Sequence, residues 1–354
     1  MIQAVLLKQF PAARDSAPFS LDVSFEARKG VTVFFGPSGA GKTLVLDCIA
    51  GFVRPDSGRV LLDDVLLFDG GAGVNRMPQD RRCGYVLQNY ALFPHMNVRD
   101  NLLFAANRSK SIERRRRVNE LLDRFRLADV SGRLPHQLSG GQRQRCSLAR
   151  SLVTPPRILL LDEPARGLDA PLRAELYEIL RDIRADFKIP ILLVTHSLEE
   201  CFELADEMFI FRDGRIVQSG TPAAVCGRPS SLEIARLLGM YNILPVEIRS
   251  LDPSRNTSVL RFGEFDLSAD YYPGHLKGDR VHLLVTPRQI IAEPRDSRRL
   301  RVNSIPVELE RAVDIPDGVR LEFAGGLRVE IPRDDYTQTK EWAVEFPSRG
   351  LRIL

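Results

Sequence analysis

Apolar and polar positions alternate in three stretches near the start of the chain: "IQAVLL" (2–7), "FSLDVSFEA" (19–27) and "VTVFF" (31–35). A period of two predicts strands, the first two as an antiparallel pair. The third opens "GVTVFFGPSGAGKTLVLDCIAGF" (30–52), a strand, a glycine turn and an apolar helix in succession. Residues 98–130 are helical in composition, with Leu102, Leu103, Leu121, Leu122 and Phe125 set between charged positions. "RILLLDEP" (157–164) and "PILLVTHS" (190–197) are continuous apolar runs that predict buried strands. Each leads into a helix, the first over 170–186. "EMFIFRDGRIVQSG" (207–220) reads as a hairpin turning at Asp213-Gly214. Strands alternating with helices predict an α/β fold with a parallel sheet covered on both faces.

The pattern changes near residue 240. From Ile243 onward the periodicity is that of short strands punctuated by turns, from "LPVEIRSL" to the closing "GLRIL". A small β-barrel or sandwich is expected there. Two domains follow, 1–240 and 241–354, with "RPSSLEIARLLGMYN" bridging them as a helix. The β-rich part reads as two weakly related halves, near 243–293 and 298–354, without a demonstrable repeat.

Composition narrows this picture only slightly. A chain of 354 residues with 44% hydrophobic content has room for two or three ordinary cores. The net charge of +4 is too weak to argue for nucleic acid. Five scattered cysteines without CxxC spacing predict no disulfide framework and no zinc site, so a reducing cytoplasm is expected. The amino-terminal apolar run lacks preceding basic residues and is not read as a signal peptide. No run approaches the ~18 apolar residues of a membrane helix. Work at a membrane would need another chain.

Chemistry concentrates at strand ends. "GPSGAGKT" fits G-x-x-x-x-G-K-[ST]. Gly36, Pro37, Ser38, Gly39, Ala40, Gly41, Lys42 and Thr43 are expected to cradle nucleotide phosphates, with the following helix adding its dipole. Lys42 would neutralise phosphate charge, and Thr43 would coordinate Mg²⁺. Asp162 is placed to hold Mg²⁺ and Glu163 to act as general base. His196, at the tip of another apolar strand, is aimed at the same edge, whereas His95, His136, His275 and His282 read as structural. Gln88 ends the short strand "GYVLQN" and is either a metal and water bridge or an ordinary strand end. A second glycine-rich, basic stretch, "QLSGGQRQR" (137–145), would also hold an anion and open a helix.

Taken in order, G-x4-GKT, LSGGQRQR, LLLDEP and the strand-end histidine resemble the nucleotide-binding subunits of ATP-binding cassette (ABC) transporters, over roughly residues 1–240. The resemblance implies an ATPase that uses ATP and Mg²⁺. Its fold would be a P-loop cassette with a mainly parallel sheet, flanking helices and an antiparallel β subdomain, followed by a small all-β, OB-like domain. It implies a head-to-tail homodimer in which Ser139, Gly140, Gly141 and Gln142 of one subunit complete the ATP site of the other. It further implies Phe10 stacked on adenine, a communication loop carrying Leu168 and Asp169, and permease subunits docking near Tyr90–Asn101. Where that loop often reads Ser-Ala-Leu-Asp, this chain has Arg166 and Gly167. The run Arg114–Arg117 reads as a solvated helix face, or else as a contact for acidic lipid or a permease loop.

In "VHLLVTPRQIIAE" (281–293) the tail resembles the accessory domain of bacterial importer ATPases served by a solute-binding protein, and in "LRVNSIPVELERAVDIPDGVRLEFAGGLRVEIPRDDYTQ" (300–338) with the closing "LRIL" (351–354) most of all the oxyanion-binding type of molybdate importers. That implies a peripheral protein of the cytoplasmic membrane face, importing molybdate or tungstate, with an oxyanion bound by the carboxy-terminal domain. Sulfate, ferric iron, polyamine and sugar are the alternatives. Cassettes acting on chromosomes carry a long coiled coil between the two glycine loops, and translation-type proteins carry two cassettes. This chain has neither, and no nucleic acid partner is expected.

Overall fold

The computed structural model describes residues 1–12, 17–106, 111–295 and 302–354. The chain divides into two units, Met1–Arg228 and Pro229–Leu354.

In the first unit, β1 (Ile2–Phe10) pairs antiparallel with β2 (Phe19–Ala27), as their alternation predicts. With β4 (Ser57–Leu62), β5 (Val65–Asp69) and β6 (Val74–Asn75) they form an antiparallel sheet ordered β2-β1-β4-β5-β6. The second sheet runs β11-β10-β3-β9-β8-β7. Its members are β3 (Gly30–Phe35), β7 (Cys83–Val86), β8 (Ile158–Asp162), β9 (Pro190–Thr195), β10 (Glu207–Arg212) and β11 (Arg215–Gly220). Pairs from β10 to β7 are parallel, and only the β10–β11 hairpin is antiparallel. Every residue of β8 and β9 is buried, which is why their apolar runs do not alternate. The hairpin turns on Asp213 (φ 46°) and Gly214 (φ 75°), the left-handed pair that a two-residue turn requires.

Helix α1 (Lys42–Ala50) lies between the sheets. Its Val45, Leu46 and Ile49 share one core with Ile2 and Leu6 of the first sheet and Leu160 and Leu192 of the second. Arg81, 1% exposed, donates to the carbonyls of Cys48 and Ile49 at 2.8 Å, placing a cation on the negative end of α1. Helices α2 (Val98–Ala105) and α3 (Ser111–Arg124) occupy the region read as helical; residues 107–110 between them lie outside the described ones. On α3, Arg116 and Arg117 both pair with Glu120, and Arg117 also covers Phe187, so part of the arginine run is engaged locally. Then come α4 (Gly140–Leu152), α5 (Ala170–Phe187), α6 (Leu198–Leu204) and α7 (Pro222–Gly227). All five cysteines are free thiols. Burial pushes Cys48, Cys83 and Cys146 up to about 12, where thiolate chemistry is suppressed. Among the described residues, no helix is long and apolar enough to cross a membrane.

The second unit begins with α8 (Leu232–Leu238), ahead of the pattern change at 240. Ten strands follow: β12 (Asn242–Asp252), β13 (Thr257–Phe262), β14 (Phe265–Asp270), β15 (Arg280–Val285), β16 (Ile291–Pro294), β17 (Ser304–Ile315), β18 (Gly318–Phe323), β19 (Leu327–Ile331), β20 (Glu341–Glu345) and β21 (Arg352–Ile353). They form two antiparallel sheets, β14-β13-β12-β15-β21 and β16-β20-β17-β18-β19, that share one core containing Leu260, Leu283, Phe323 and Trp342. Read from its third strand, each sheet has the same connectivity, and each takes its fifth strand from the other half of the sequence. The long first strands β12 and β17 even carry a register shift at matching places, Ile248/Ser250 and Leu309/Arg311. The repeat invisible in the sequence is present in the topology.

Candidate functional site

The glycine loop bridges the end of β3 and the start of α1. A Cβ on Gly36 would lie 2.3 Å from the Phe211 carbonyl oxygen, so only glycine lets the loop pass the β10 strand. Gly41 caps α1 at φ 97° with no side-chain cap. The helix therefore presents its first-turn amides bare, the arrangement that receives an anion. The hairpin tip supports the loop through Gly214 N–H donating to the Ala40 carbonyl at 3.1 Å. Lys42, 6% exposed, donates to the carbonyls of Gly36 and Pro37, both at 2.8 Å. Burial lowers its pKa, and the carboxylates of Glu163 and Asp162 draw it back toward the charged form. Phe10 is 40% exposed and lies 6.5 Å from Phe19, whose ring edge lies 3.0 Å from where a Gly41 Cβ would be. The Lys8 ammonium lies over the Phe10 ring, 5.6 Å from its centroid, so a partly exposed aromatic ring stands near the phosphate loop.

The acidic side is built at the tips of β8 and β9. Thr43 donates its hydroxyl to Asp162 at 2.9 Å. Asp162 is buried, and that burial raises its pKa. Two hard oxygen donors, one a desolvated carboxylate, suit a small divalent cation such as Mg²⁺. Glu163 follows at φ 46°, a left-handed conformation costly for a residue with a side chain, held by its amide donating to Val194 O at 3.0 Å. Three side chains surround its carboxylate. Gln88 and Arg166 donate to Oε2 at 3.1 and 2.9 Å, and His196 Nδ1 lies 3.2 Å from Oε1. Gln88, Glu163 and His196, far apart in sequence, therefore meet.

The segment Ser139–Gln142 opens α4. Ser139 Oγ accepts from the Gln142 amide at 3.2 Å and the Gln142 side chain accepts from the Ser139 amide at 3.0 Å, a reciprocal cap. Gly140 is open, whereas a Cβ on Gly141 would come within 2.8 Å of Leu172. Asp169 caps α5 by accepting from Leu172 N at 3.1 Å. Among the described residues, no hydrogen bond joins Ser139–Gln142 to Gly36–Thr43: within one chain the two loops are separate constructions. Helix α4 is instead tied to the loop after Gln88. Ser147 and Arg150 donate to the Tyr90 carbonyl at 3.0 and 3.2 Å, Arg150 also to the Ala91 carbonyl at 2.6 Å.

Several residues here carry no sequence signal strong enough to mark them. Arg166 on Glu163 is one. Another is Glu200, in an S-x-x-E pattern that reads as a plain capping box. Its carboxyl turns away to accept from Thr195 Oγ1, burial raises its pKa, and its other oxygen is buried without a partner among the described residues. Glu200, Tyr177, Arg173 and His196 line a recess of about 400 Å³ beside Glu163.

Comparison with known proteins agrees with this construction. The family model described as ABC transporter matches residues 21–166. The chain is 41% identical over 222 residues to a molybdenum import ATP-binding protein, ModC, of Rhodospirillum rubrum, a match covering 63% of this chain and 60% of that protein. It is 41% identical over 235 residues to the molybdate/tungstate import ATP-binding protein WtpC of Archaeoglobus fulgidus, covering 66% of this chain and 95% of the relative. A solved ATP-binding cassette, dimeric, in a post-hydrolysis state and bound to ADP and Pi, superposes with a TM-score of 0.55 at 25% identity, covering 63% of this chain and 99% of that one.

Proposed function

Because this chain belongs to the ATP-binding proteins of the ABC transporter family, we propose that it is the ATP-hydrolysing subunit of an importer, with molybdate or tungstate as cargo. The observation that carries the ATPase reading is Glu163. It is a strained carboxylate at a strand tip, flanked by Gln88 and His196 and following Asp162, which faces Thr43 at the phosphate loop.

The residues divide the work. The bare amides of Gly39, Gly41, Lys42 and Thr43 and the Lys42 ammonium bind ATP phosphates, Lys42 exchanging the Gly36 and Pro37 carbonyls for phosphate oxygens. Thr43, Asp162 and the Gln88 carbonyl would hold Mg²⁺, which when bound neutralises phosphate charge. Glu163 takes the proton of the attacking water, and His196 orients the Glu163 carboxylate. Phe10, partly exposed, stacks on the adenine. Ser139, Gly140, Gly141 and Gln142 face the nucleotide of a second copy, since they are tied to no part of their own phosphate loop. Two ATP molecules would then clamp a homodimer at the cytoplasmic membrane face. Its closure drives permease subunits fed by a solute-binding protein. The molybdate or tungstate assignment rests on the named relatives and on the likeness of the tail; sulfate, ferric iron, polyamine and sugar are the competing cargoes.

Hydrolysis by the purified full chain tests this reading. The rate per chain is expected to fall on dilution, because one chain supplies half of each site. Glu163→Gln should lower turnover by at least ~100-fold while ATP-dependent dimers accumulate in size-exclusion chromatography. A dilution-independent rate sinks the two-chain site, and parental turnover by Glu163→Gln sinks the base.

A further inference from the structure

We propose that Arg166 is a positioning residue that restrains Glu163 and sets the rate at which this chain hydrolyses ATP; the inference rests on the ATPase reading above. A carboxylate offers about four lone-pair sites, two on each oxygen. On Glu163 Oε2 both are taken, one by Arg166 at 2.9 Å and one by Gln88 at 3.1 Å. Oε1 already faces His196 at 3.2 Å. A general base needs an open site for the proton it removes; three of the four are taken, and the arginine fills one of the two that would otherwise be open.

The placement is local and built in. Arg166 lies three residues beyond Glu163 in the same turn, whose amide bonds run from Arg166 N to Glu163 O at 3.1 Å and from Leu168 N to Ala165 O at 3.2 Å. Gly167, at φ 74° and open to space, lets the chain reverse there and continue to the Asp169 cap of α5. The arginine side chain is 60% exposed and that of Glu163 14%. The pair is therefore weak enough to open, and salt weakens it further. The loop thus carries its own cation on the Glu163 carboxylate. Opening the pair frees one site on Oε2, Gln88 keeping the other, and the guanidinium is then available to a phosphate anion instead.

Two measurements on the full chain test the restraint. The first is steady-state MgATP hydrolysis by the parent, Arg166→Ala and Arg166→Lys between about 50 and 300 mM NaCl. Arg166→Ala is expected to raise kcat about two- to five-fold at low salt, the range an exposed ion pair supports. The ratio to the parent should shrink toward one as salt rises, and Arg166→Lys should stay near the parent. A variant that is slower, unchanged or faster by a salt-independent factor overturns the inference, as does a lysine variant that behaves like alanine.

The second measurement needs no turnover. In the nucleotide-free chain, hydrogen exchange at the amides of 165–169 should accelerate about two- to five-fold in both Glu163→Gln and Arg166→Ala, and no further in the double variant. Additive acceleration, or none in Glu163→Gln, means that Arg166 supports the loop without holding the carboxylate. A parent that hydrolyses no ATP overturns the ATPase reading itself; a hydrolysing parent with a slower or salt-insensitive variant overturns only the role of Arg166.

Discussion

Asp162 ends a wholly buried strand and is itself 6% exposed, with Thr43 donating to it and Lys42 nearby. Burial outweighs these helpers, so its carboxyl titrates above the usual aspartate value of about 3.9. The folded chain therefore holds this proton more tightly than the unfolded chain does. Stability contributed at this site is lost as pH rises from the unfolded value through the folded one, and at neutral pH the full penalty is present. Asp162→Asn keeps an oxygen to accept from Thr43 and removes the charge. In the nucleotide-free chain it should raise the melting temperature at pH 7.5, by roughly 2–4 °C for each ~1 kcal/mol of relief, and its advantage should narrow toward pH 4. The same change should abolish Mg²⁺-dependent hydrolysis. A variant less stable than the parent at pH 7.5 contradicts the sign. Most such site residues were legible because short-range rules place them: a glycine loop after a strand, or carboxylates after an apolar run. Arg166, Arg81 and Glu200 were not. Nothing in a local pattern tells whether an arginine lies on solvent, on a carboxylate or under a helix end.

Elements explain why two glycine loops coexist. The loop before α1 is shaped by strands, with Gly36 fitted under β10. The segment before α4 is shaped by helices, with Gly141 fitted against Leu172 of α5. Its two glycines therefore separate by job. Gly141→Ala should cost about 1 kcal/mol in denaturant unfolding, since Leu172 must give way. Gly140→Ala meets only Leu168 at 3.8 Å and should unfold within about 0.5 kcal/mol of the parent. Yet Gly140→Ala should lose most ATPase activity if its backbone is what approaches the phosphate. Equal stability of the two variants, or full activity of Gly140→Ala, removes the distinction. Several strands in this unit followed directly from the sequence, since β8 and β9 are continuous runs and β1 and β2 alternate, whereas β4, β5 and β6 were not read as strands. Asp169 was read only as a motif position, although Asp ahead of a first-turn proline is also the pattern of a helix cap.

On the scale of the whole molecule, cargo is the question a cassette cannot answer, because nucleotide chemistry is common to importers of unlike solutes. In host cells lacking this gene, high-affinity uptake of labelled molybdate should fall at least about ten-fold while sulfate uptake persists. Loss of sulfate uptake with normal molybdate uptake reassigns the cargo. The β-rich unit was legible as strands but not as a duplication, because a shared topology constrains where chains turn and leaves side chains free to differ. Its two halves each lend the other an edge: β21 completes the sheet begun at Asn242, and β16 completes the sheet begun at Ser304. Either half alone would leave one backbone edge unpaired, and a second copy of itself is what would fill it. The unit thus has the form of a swapped dimer written into one chain. Each half thus depends on the other for the outermost strand of its sheet.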